Sequence, residues 1–588
     1  MSEIKITDED IDELLYNYDR NNANQIKSAG ALEYTLFEKI AKKYMYEQYD
    51  DDFKKSVDEG LIYPHDSAQE LFKGINCFTL DPRFILRKGV YSNGDTGHLG
   101  CVTKPAKHFS VAIEHLAQTL GLASTCIAGG VAIASINCFL APYIVGLSDK
   151  EIFQAVQGFA YQMNEAFKNR GSQSLFSSIN IDLIMPDFIK KQPAVGAGGE
   201  YTGKKYEDYE EEAIKLAHII TEVFLEGDGA RKPLFFPNLI YNIDGAELSE
   251  WNDIFELTAK FSQPYFSIPS NNNGVEYSST LGCRTALPSN WTGNPNIDCM
   301  GTGNAVYTTL CLPAIALKSQ NEDMNFFELL EKQMEILRKY NLKRYDRIRW
   351  LWYDCHLADF MIQELDGIPL YRLEDATLVA GYLGLSEALE ILYGTKLHEN
   401  NDKAREIIIF MRDRITEWKR EDERRWGLFQ TPAENCCRTL ALKMVDKYGF
   451  RKSCAKGTAE NPYYTNSNHV PVDADISILD RIKIEGDNQP LGAAGNIMNI
   501  YTSEAYSDPI ALGKLVARIR DFTNAYFFAI TGEFSICPEC GTTYRGNKEE
   551  CIFDEAKCDV ISRITGYLGN IASFNSSKQQ EVKERKRY

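Results

Sequence analysis

The sequence predicts an α/β fold. Some stretches carry apolar residues at helical spacing, as at Phe326, Leu330, Met334 and Leu337 within residues 325–342. Short apolar runs that end in loops read instead as strands, as from Val306 to Leu312 and from Tyr265 to Ile268. The two patterns alternate through residue 525, which is the signature of helices packed on a sheet. The 588 residues, 44% apolar and 25% charged, hold enough core for several ordinary domains or one large α/β barrel.

From the N-terminus, residues 1–30 open with an acidic helix and reach the turn-rich Asn21-Asn22-Ala23-Asn24. Leu32, Leu36, Ile40 and Tyr44 then recur every fourth residue and predict an amphipathic helix that Asp50-Asp51-Asp52 ends. Tyr63-Pro64-His65-Asp66 and a short apolar run around Cys77 follow. Helical patterns dominate from about 105 to 260. Within them Leu116 to Ser148 carries no charge and is long enough to cross a membrane. Gly121, Gly129, Gly130, Pro142 and Gly146 interrupt it, which favours buried, closely packed helices and no membrane. Leu234 to Pro237, with Leu239 to Tyr241, are further strand candidates, and a Gly- and Asn-rich stretch leads to Leu281-Gly282-Cys283-Arg284. No repeat or linker breaks the chain before 525. Beyond it, a cysteine-rich segment (537–558) and a glycine motif form a compact C-terminal module.

The net charge of −19 argues against nucleic acid as the main partner, because phosphate contact needs a basic surface. The basic tail Lys583-Glu584-Arg585-Lys586-Arg587-Tyr588 reads as solvated. No charged-then-apolar leader follows Met1, and fifteen cysteines in such a chain indicate a reducing, cytoplasmic setting with thiols used for metal or chemistry.

Two features carry chemistry. Cys537-Pro538-Glu539-Cys540 forms a knuckle that lets two thiolates face one ion, and Cys551 and Cys558 can complete a closed, tetrahedral zinc site. A redox dithiol is the other reading of the pair. The second feature is Ser562-Arg563-Ile564-Thr565-Gly566-Tyr567-Leu568-Gly569-Asn570. Gly566 could be an ordinary turn residue. The motif also resembles the glycyl-radical signature, an arginine followed closely by Gly-Tyr. Without a side chain the glycine Cα can lose a hydrogen and flatten, and its amide and carbonyl share the unpaired electron. Such a radical needs a thiol relay on a tight core loop, and Cys283 fits.

Across the chain from about residue 20, the sequence resembles the large subunit of anaerobic, class III ribonucleoside-triphosphate reductases. The matching segments are Tyr63-Pro64-His65-Asp66, Asn76-Cys77, Asn169-Arg170-Gly171-Ser172-Gln173-Ser174, Gly282-Cys283-Arg284, Thr431-Pro432-Ala433-Glu434, Tyr463-Tyr464-Thr465-Asn466-Ser467, Thr565-Gly566-Tyr567-Leu568-Gly569 and Lys578-Gln579-Gln580-Glu581-Val582-Lys583. The resemblance implies a ten-stranded β/α barrel of the glycyl radical enzyme and ribonucleotide reductase type. Residues 1–525 would form the barrel without an N-terminal ATP-cone, 526–560 the zinc segment, and 561–588 the radical loop and tail.

The resemblance also implies a reaction. An iron–sulfur, S-adenosylmethionine-dependent activase installs the radical on Gly566. Cys283 becomes a thiyl and takes the 3′ hydrogen of a nucleoside triphosphate. Cys77 supplies a hydrogen as the 2′ hydroxyl leaves as water, and formate is the reductant. Without the resemblance, Cys77 would read as a buried strand thiol. Asn304 matches the family's active-site asparagine, able to bond substrate hydroxyls or formate. His65 and Thr431 fall in segments expected to touch substrate, and dNTP or ATP effectors would bind at a homodimer interface. Thr431, Pro432 and Glu434 also have the spacing of a helix-capping box, which would leave Cys436-Cys437 as buried thiols.

The chain departs from the family pattern twice. Cys311 stands where many relatives have asparagine. In a regular strand it would point away from Asn304, as a packing residue; a bulge would reverse that. Relatives often carry a first C-x-x-C pair where this chain has Phe527-Phe528-Ala529-Ile530, which leaves Cys551 and Cys558 in its place. The other readings are a glycyl-radical acyltransferase or dehydratase and, of another class, a non-catalytic zinc-ribbon protein.

Overall fold

The computed structural model describes residues 7–16, 27–95, 100–165, 174–282, 284–503 and 508–588. Asn21 to Asn24, Asn169 to Gln173 and Cys283 lie outside the described residues. Parallel strands need crossover connections, which helices supply here. The larger sheet has seven strands, in the order Met498–Thr502, Phe527–Gly532, Tyr265–Ser267, Asn238–Asn242, Ser177–Asp182, Val131–Ile133, Phe78–Leu80. The five from Tyr265–Ser267 to Phe78–Leu80 are mutually parallel. Phe527–Gly532 is antiparallel to Tyr265–Ser267 and parallel to Met498–Thr502.

A second sheet has the order Ile62–Pro64, Asn304–Cys311, Thr377–Leu383, Trp426–Gln430, with the last three parallel. The two sheets meet at two places, with Ile62–Pro64 lying outside both seams. One seam is the antiparallel bridge between Thr79 and Thr302. At the other, the Gln430 N–H donates to the Gly495 carbonyl (2.9 Å), just ahead of Met498–Thr502. Between the sheets lies a hairpin, Ser278–Leu281 with Thr285–Pro288, whose register pairs Leu281 with Thr285 and leaves residues 282–284 as its tip.

The uncharged stretch folds as expected of buried, packed segments. It spans helix Phe109–Cys126, strand Val131–Ile133 and helix Ile136–Ile144. No helix among the described residues is long and apolar enough to cross a membrane. Local signals set several other boundaries. Ser148 and Glu151 form a reciprocal capping box at the start of Asp149–Asn164, and Asn325 caps Phe326–Arg349 by accepting from Phe327 and Glu328 N–H groups.

Some expectations fail for identifiable reasons. The strand from Asn304 ends at Cys311, and Leu312 starts a helix because Pro313 suits a first turn and cannot donate to a ladder. Leu234 to Pro237 forms no strand; only Asn238–Asn242 does. Helix Ala29–Glu47 forms, but it buries Ala31, Ala41 and Met45 and leaves Tyr44 exposed, so small residues set its packed face.

The C-terminal module is a four-stranded antiparallel sheet in the order Thr543–Arg545, Phe534–Ile536, Asp559–Arg563, Leu568–Asn570. The cysteine loops and the Gly566 bend therefore hang from the same sheet. The tail is solvated only in part: Lys583 and Arg587 are exposed, but Arg585 is buried, as are Lys578 and Glu581 of helix Ser576–Glu584. Arg585 donates to Ser562 Oγ (3.2 Å) and pairs with Glu581 (2.9 Å), which also pairs with Lys578. Within the basic run, Arg585 is thus an internal strut for the strand leading to Gly566.

Candidate active site

Cys77 sits at the start of strand Phe78–Leu80, buried beside Ala132, Leu281 and Leu287. Its N–H donates to the Asn304 carbonyl (3.0 Å), and its thiol donates to Asn76 Oδ1 (2.8 Å). Two glycines allow this approach. A Cβ on Gly303 would lie 1.9 Å from the Cys77 carbonyl oxygen, and one on Gly129 would lie 2.5 Å from the Asn76 carbonyl oxygen and 3.0 Å from the Cys77 sulfur. No side chain fits at either place.

The hairpin lies against Cys77 through Leu281 and Leu287. Its residue Gly282 donates an N–H to Ser178 Oγ (3.1 Å), and its residue Arg284 donates to the Thr431 carbonyl (3.3 Å). The neighbours of Cys283 on both sides are thus pinned, one to each sheet. Asn304 reaches the same hairpin, where its Nδ2 donates to Thr285 Oγ1 (3.2 Å). Its Oδ1 is buried with no hydrogen-bond partner, as are the Oδ1 atoms of Asn468, Asn496 and Asn499 among the described residues. An unmet buried acceptor costs about 1–3 kcal/mol. Four of them suit an interior made to hold a polar ligand.

Gly566 is buried in the bend between strands Asp559–Arg563 and Leu568–Asn570. The Tyr265 hydroxyl donates to the Gly566 carbonyl, and Asn499 Nδ2 donates to the Thr565 carbonyl (3.2 Å). The Arg563 guanidinium lies over the Tyr265 ring (4.2 Å) while donating to Thr531 Oγ1 (2.9 Å) and the Ser262 carbonyl (2.6 Å). Tyr567 packs edge-on against Phe176 (5.5 Å between ring centres), and Phe176 lies against Gly282. The glycine bend and the hairpin tip are therefore one aromatic side chain apart.

A cleft of about 410 Å³ is walled by Tyr63, His65, Asp66, Glu434, Arg438 and Asn575 among others, and Asp66 and Glu434 bond to Asn76 and Tyr567. The His65 ring stacks on Tyr307 (4.0 Å), and its Nε2 bonds Thr309 Oγ1 (2.9 Å). Thr309 Oγ1 in turn bonds Thr431 Oγ1 (2.8 Å). Enclosure pushes the His65 imidazole down to about 3, so it stands neutral at physiological pH. His65 and Asp66 do not pair with each other here; Asp66 accepts from Asn76 Nδ2 (2.8 Å).

Thr431 does not cap a helix. The helix runs Cys436–Tyr448 after Asn435, because Ala433 N–H is drawn to Asn466 Oδ1 (3.1 Å) and Glu434 turns to the C-terminal module. There Glu434 Oε2 accepts from the Tyr567 hydroxyl (2.8 Å), and its carbonyl accepts from Asn575 Nδ2 (3.3 Å). Cys436 and Cys437 are buried at the helix start. The register does shift between Asn304 and Val306, so the simple alternation argument for Cys311 fails. Cys311 is nonetheless fully buried near Cys437 and Glu387, where burial pushes its thiol up to about 12.

In the cysteine loops, the ligand atoms of Cys537, Cys540, Cys551 and Asp554 all lie within 4.8 Å of one another, a donor set able to hold a metal ion. Cys558 is buried against Cys537 and Cys551 but is not in that group. Tyr265, Asn499 and Asp554 had no functional signal of their own in the sequence, and Glu434 read there as a helix-capping residue. Gly301-Thr302-Gly303, ahead of Asn304, was a readable sign of close backbone approach.

The chain is similar to known proteins in sequence and in fold. The anaerobic ribonucleoside-triphosphate reductase of Escherichia coli (strain K12) is 24% identical over 621 residues, covering 96% of this chain and 82% of its own. That of Enterobacteria phage T4 is 24% identical and covers 96% of both chains. Among solved structures, an anaerobic ribonucleotide reductase superposes with a TM-score of 0.76 at 21% identity, covering 94% of this chain and 88% of that one. The Thermotoga maritima enzyme in complex with dATP and CTP gives 0.71 at 20% identity, covering 93% and 89%. At these identities the structural likeness is one of fold. The sequence pattern of the anaerobic ribonucleoside-triphosphate reductases matches residues 21–588, and the chain belongs to that family.

Proposed function

We propose that this chain reduces ribonucleoside triphosphates to 2′-deoxyribonucleoside triphosphates without oxygen, by radical chemistry that starts at Gly566. The observation that carries the reading is the convergence of three separate segments. Cys77 and Asn304 are joined through the backbone, the pinned hairpin that bears Cys283 lies beside them, and the Gly566 bend reaches the same hairpin through Tyr567 and Phe176. With Ile62–Pro64 left outside, the two seams between the sheets support a ten-stranded barrel around these groups, with the zinc segment and radical loop as its C-terminal attachment.

In this reading a radical S-adenosylmethionine activase removes one Cα hydrogen from Gly566. Cys283 passes its hydrogen to that carbon and becomes a thiyl, which takes the 3′ hydrogen of the ribose. The 2′ hydroxyl departs as water with an added proton, and Cys77 supplies hydrogen from the other face. Formate then gives up its hydrogen and two electrons and leaves as carbon dioxide, which restores the Cys77 thiol and completes the two-electron reduction, and C3′ takes its hydrogen back from Cys283, which regenerates the thiyl. The unpaired Asn304 oxygen accepts from a ribose hydroxyl, and the His65, Thr309 and Thr431 chain forms the wall against which substrate rests. The neutral His65 acts there as a hydrogen-bonding surface and not as an acid. The cysteine module would hold a structural zinc ion; with four protein ligands it offers no open position for catalysis. Nucleoside triphosphates as substrates, dNTP or ATP as specificity effectors, and a homodimer follow from the family likeness.

Supplying [13C]formate and CTP to the anaerobically activated protein tests the reading. One 13CO2 per dCTP is expected, with product lost in Cys77→Ala and Asn304→Ala. Formation of dCTP by Cys77→Ala at the wild-type rate would overturn the donor role.

A further inference from the structure

We infer that the metal of the C-terminal module is bound by three thiolates and one carboxylate, from Cys537, Cys540, Cys551 and Asp554, with Cys558 outside the coordination sphere. The inference rests on the reading that this module holds a divalent zinc ion. Zinc sits about 2.3 Å from thiolate sulfur and about 2.1 Å from carboxylate oxygen, so a tetrahedral site has edges of about 3.8 Å between sulfurs and about 3.6 Å between sulfur and oxygen. The Cys540 and Cys551 sulfurs are 3.6 Å apart. The Cys537 sulfur is 3.3 and 3.4 Å from the two Asp554 oxygens. Both spacings match edges of such a site.

The surroundings fit the same assignment. Cys540 N–H points at the Cys537 sulfur and Phe553 N–H at the Cys551 sulfur (3.4 Å each), as amides do toward metal-bound thiolates. The Tyr544 hydroxyl lies 3.1 Å from the Cys551 sulfur. Asp554 is fixed by the Ala556 N–H, which donates to its Oδ1 (3.1 Å). Cys558 touches Cys537 and Cys551, but its sulfur falls outside the group of four donors that lie within 4.8 Å of one another. That sulfur faces the Ala556 carbonyl at 3.9 Å, and the Cys558 N–H donates to the Glu549 carbonyl (2.9 Å). The spacing between Cys551 and Asp554 is that of a second knuckle, C-x-x-D, which replaces a C-x-x-C.

X-ray absorption at the zinc edge of the full-length reduced protein tests this directly. Three sulfurs and one lighter atom per zinc are expected, and four sulfurs would overturn the proposal. Cobalt-substituted variants give the second measure, because sulfur-to-cobalt charge-transfer absorption grows with the number of thiolates. Cys558→Ser should keep the wild-type intensity, and Asp554→Cys should gain about one third. Asp554→Asn should lose metal to a chelator at least about tenfold more readily. A one-quarter drop in Cys558→Ser, with Asp554→Asn unchanged, would contradict the assignment. Protein that neither retains zinc nor takes up cobalt would sink the zinc reading, and this proposal with it, while leaving the radical chemistry to its own tests.

Discussion

The carbonyl of Gly566 accepts a hydrogen bond from Tyr265, and a glycyl radical would place part of its spin on that oxygen. A net hydrogen bond of about 1 kcal/mol corresponds to about a fivefold change in an equilibrium. Tyr265→Phe should therefore still form the radical, with altered hyperfine structure and a lifetime shortened about fivefold in anaerobic spin resonance. An unchanged signal and lifetime would show that the phenol does not reach the radical. Gly303→Ala should be far more damaging, because its new Cβ would overlap the Cys77 carbonyl. A loss of about 3 kcal/mol in unfolding free energy is expected, with turnover reduced more than tenfold. His65 supplies a pH dependence. Its folded pKa, about 3, lies below the unfolded value, so the unfolded chain binds more protons between these limits. Its contribution to stability is full above about pH 6.5 and lost as the pH falls towards 3. The melting temperature of His65→Gln should fall less on acidification from pH 7 to pH 5 than that of the wild type. At this scale the sequence pointed to residues whose type suits the proposed chemistry, such as Gly566, Cys77 and Asn304. Tyr265 and Asp554 stayed hidden, since a lone tyrosine in a strand or an aspartate in a loop has no distinctive spacing.

Among the elements, the C-terminal helix shows how burial changes a charged segment's role. Lys578, Glu581 and Arg585 are buried together, and Arg585 reaches Ser562 on the strand before the glycine bend. Removing one partner of a buried ionic group typically costs about 3–5 kcal/mol, because the other charge is left unmet. Glu581→Ala should destabilise the fold by about that much, and hydrogen exchange at residues 561–568 should quicken. Exchange unchanged there would mean that the helix does not brace the loop. Sequence pattern could not reveal this, since a basic run looks the same whether solvated or buried. The strand Ser177–Asp182 was missed for a related reason. It is fully buried but rich in Ser, Asn and Asp, and apolar runs were the only strand signal available. Its polar groups face the interior, where Asn180 and Ser178 hold the hairpin. Thr431-Pro432-Ala433-Glu434 misled in the opposite sense, with a capping pattern whose members are occupied by tertiary bonds to Thr309 and Tyr567.

For the whole molecule, the alternation of helices and strands was legible, and so was the order of the chemical segments along the chain. What the sequence could not supply was their meeting point. Cys77, the Cys283 hairpin, Asn304 and Gly566 lie up to several hundred residues apart, and the sheets bring them together by crossover connections that leave no local mark. The central claim is that Gly566 stores a radical used to reduce ribonucleotides. Anaerobic activation followed by electron paramagnetic resonance, with CTP and formate then supplied, tests it most directly. The account predicts a glycyl doublet that is absent from Gly566→Ala, and dCTP formed only by the radical-bearing protein in the presence of formate. A normal doublet with no deoxynucleotide under any reductant would contradict it.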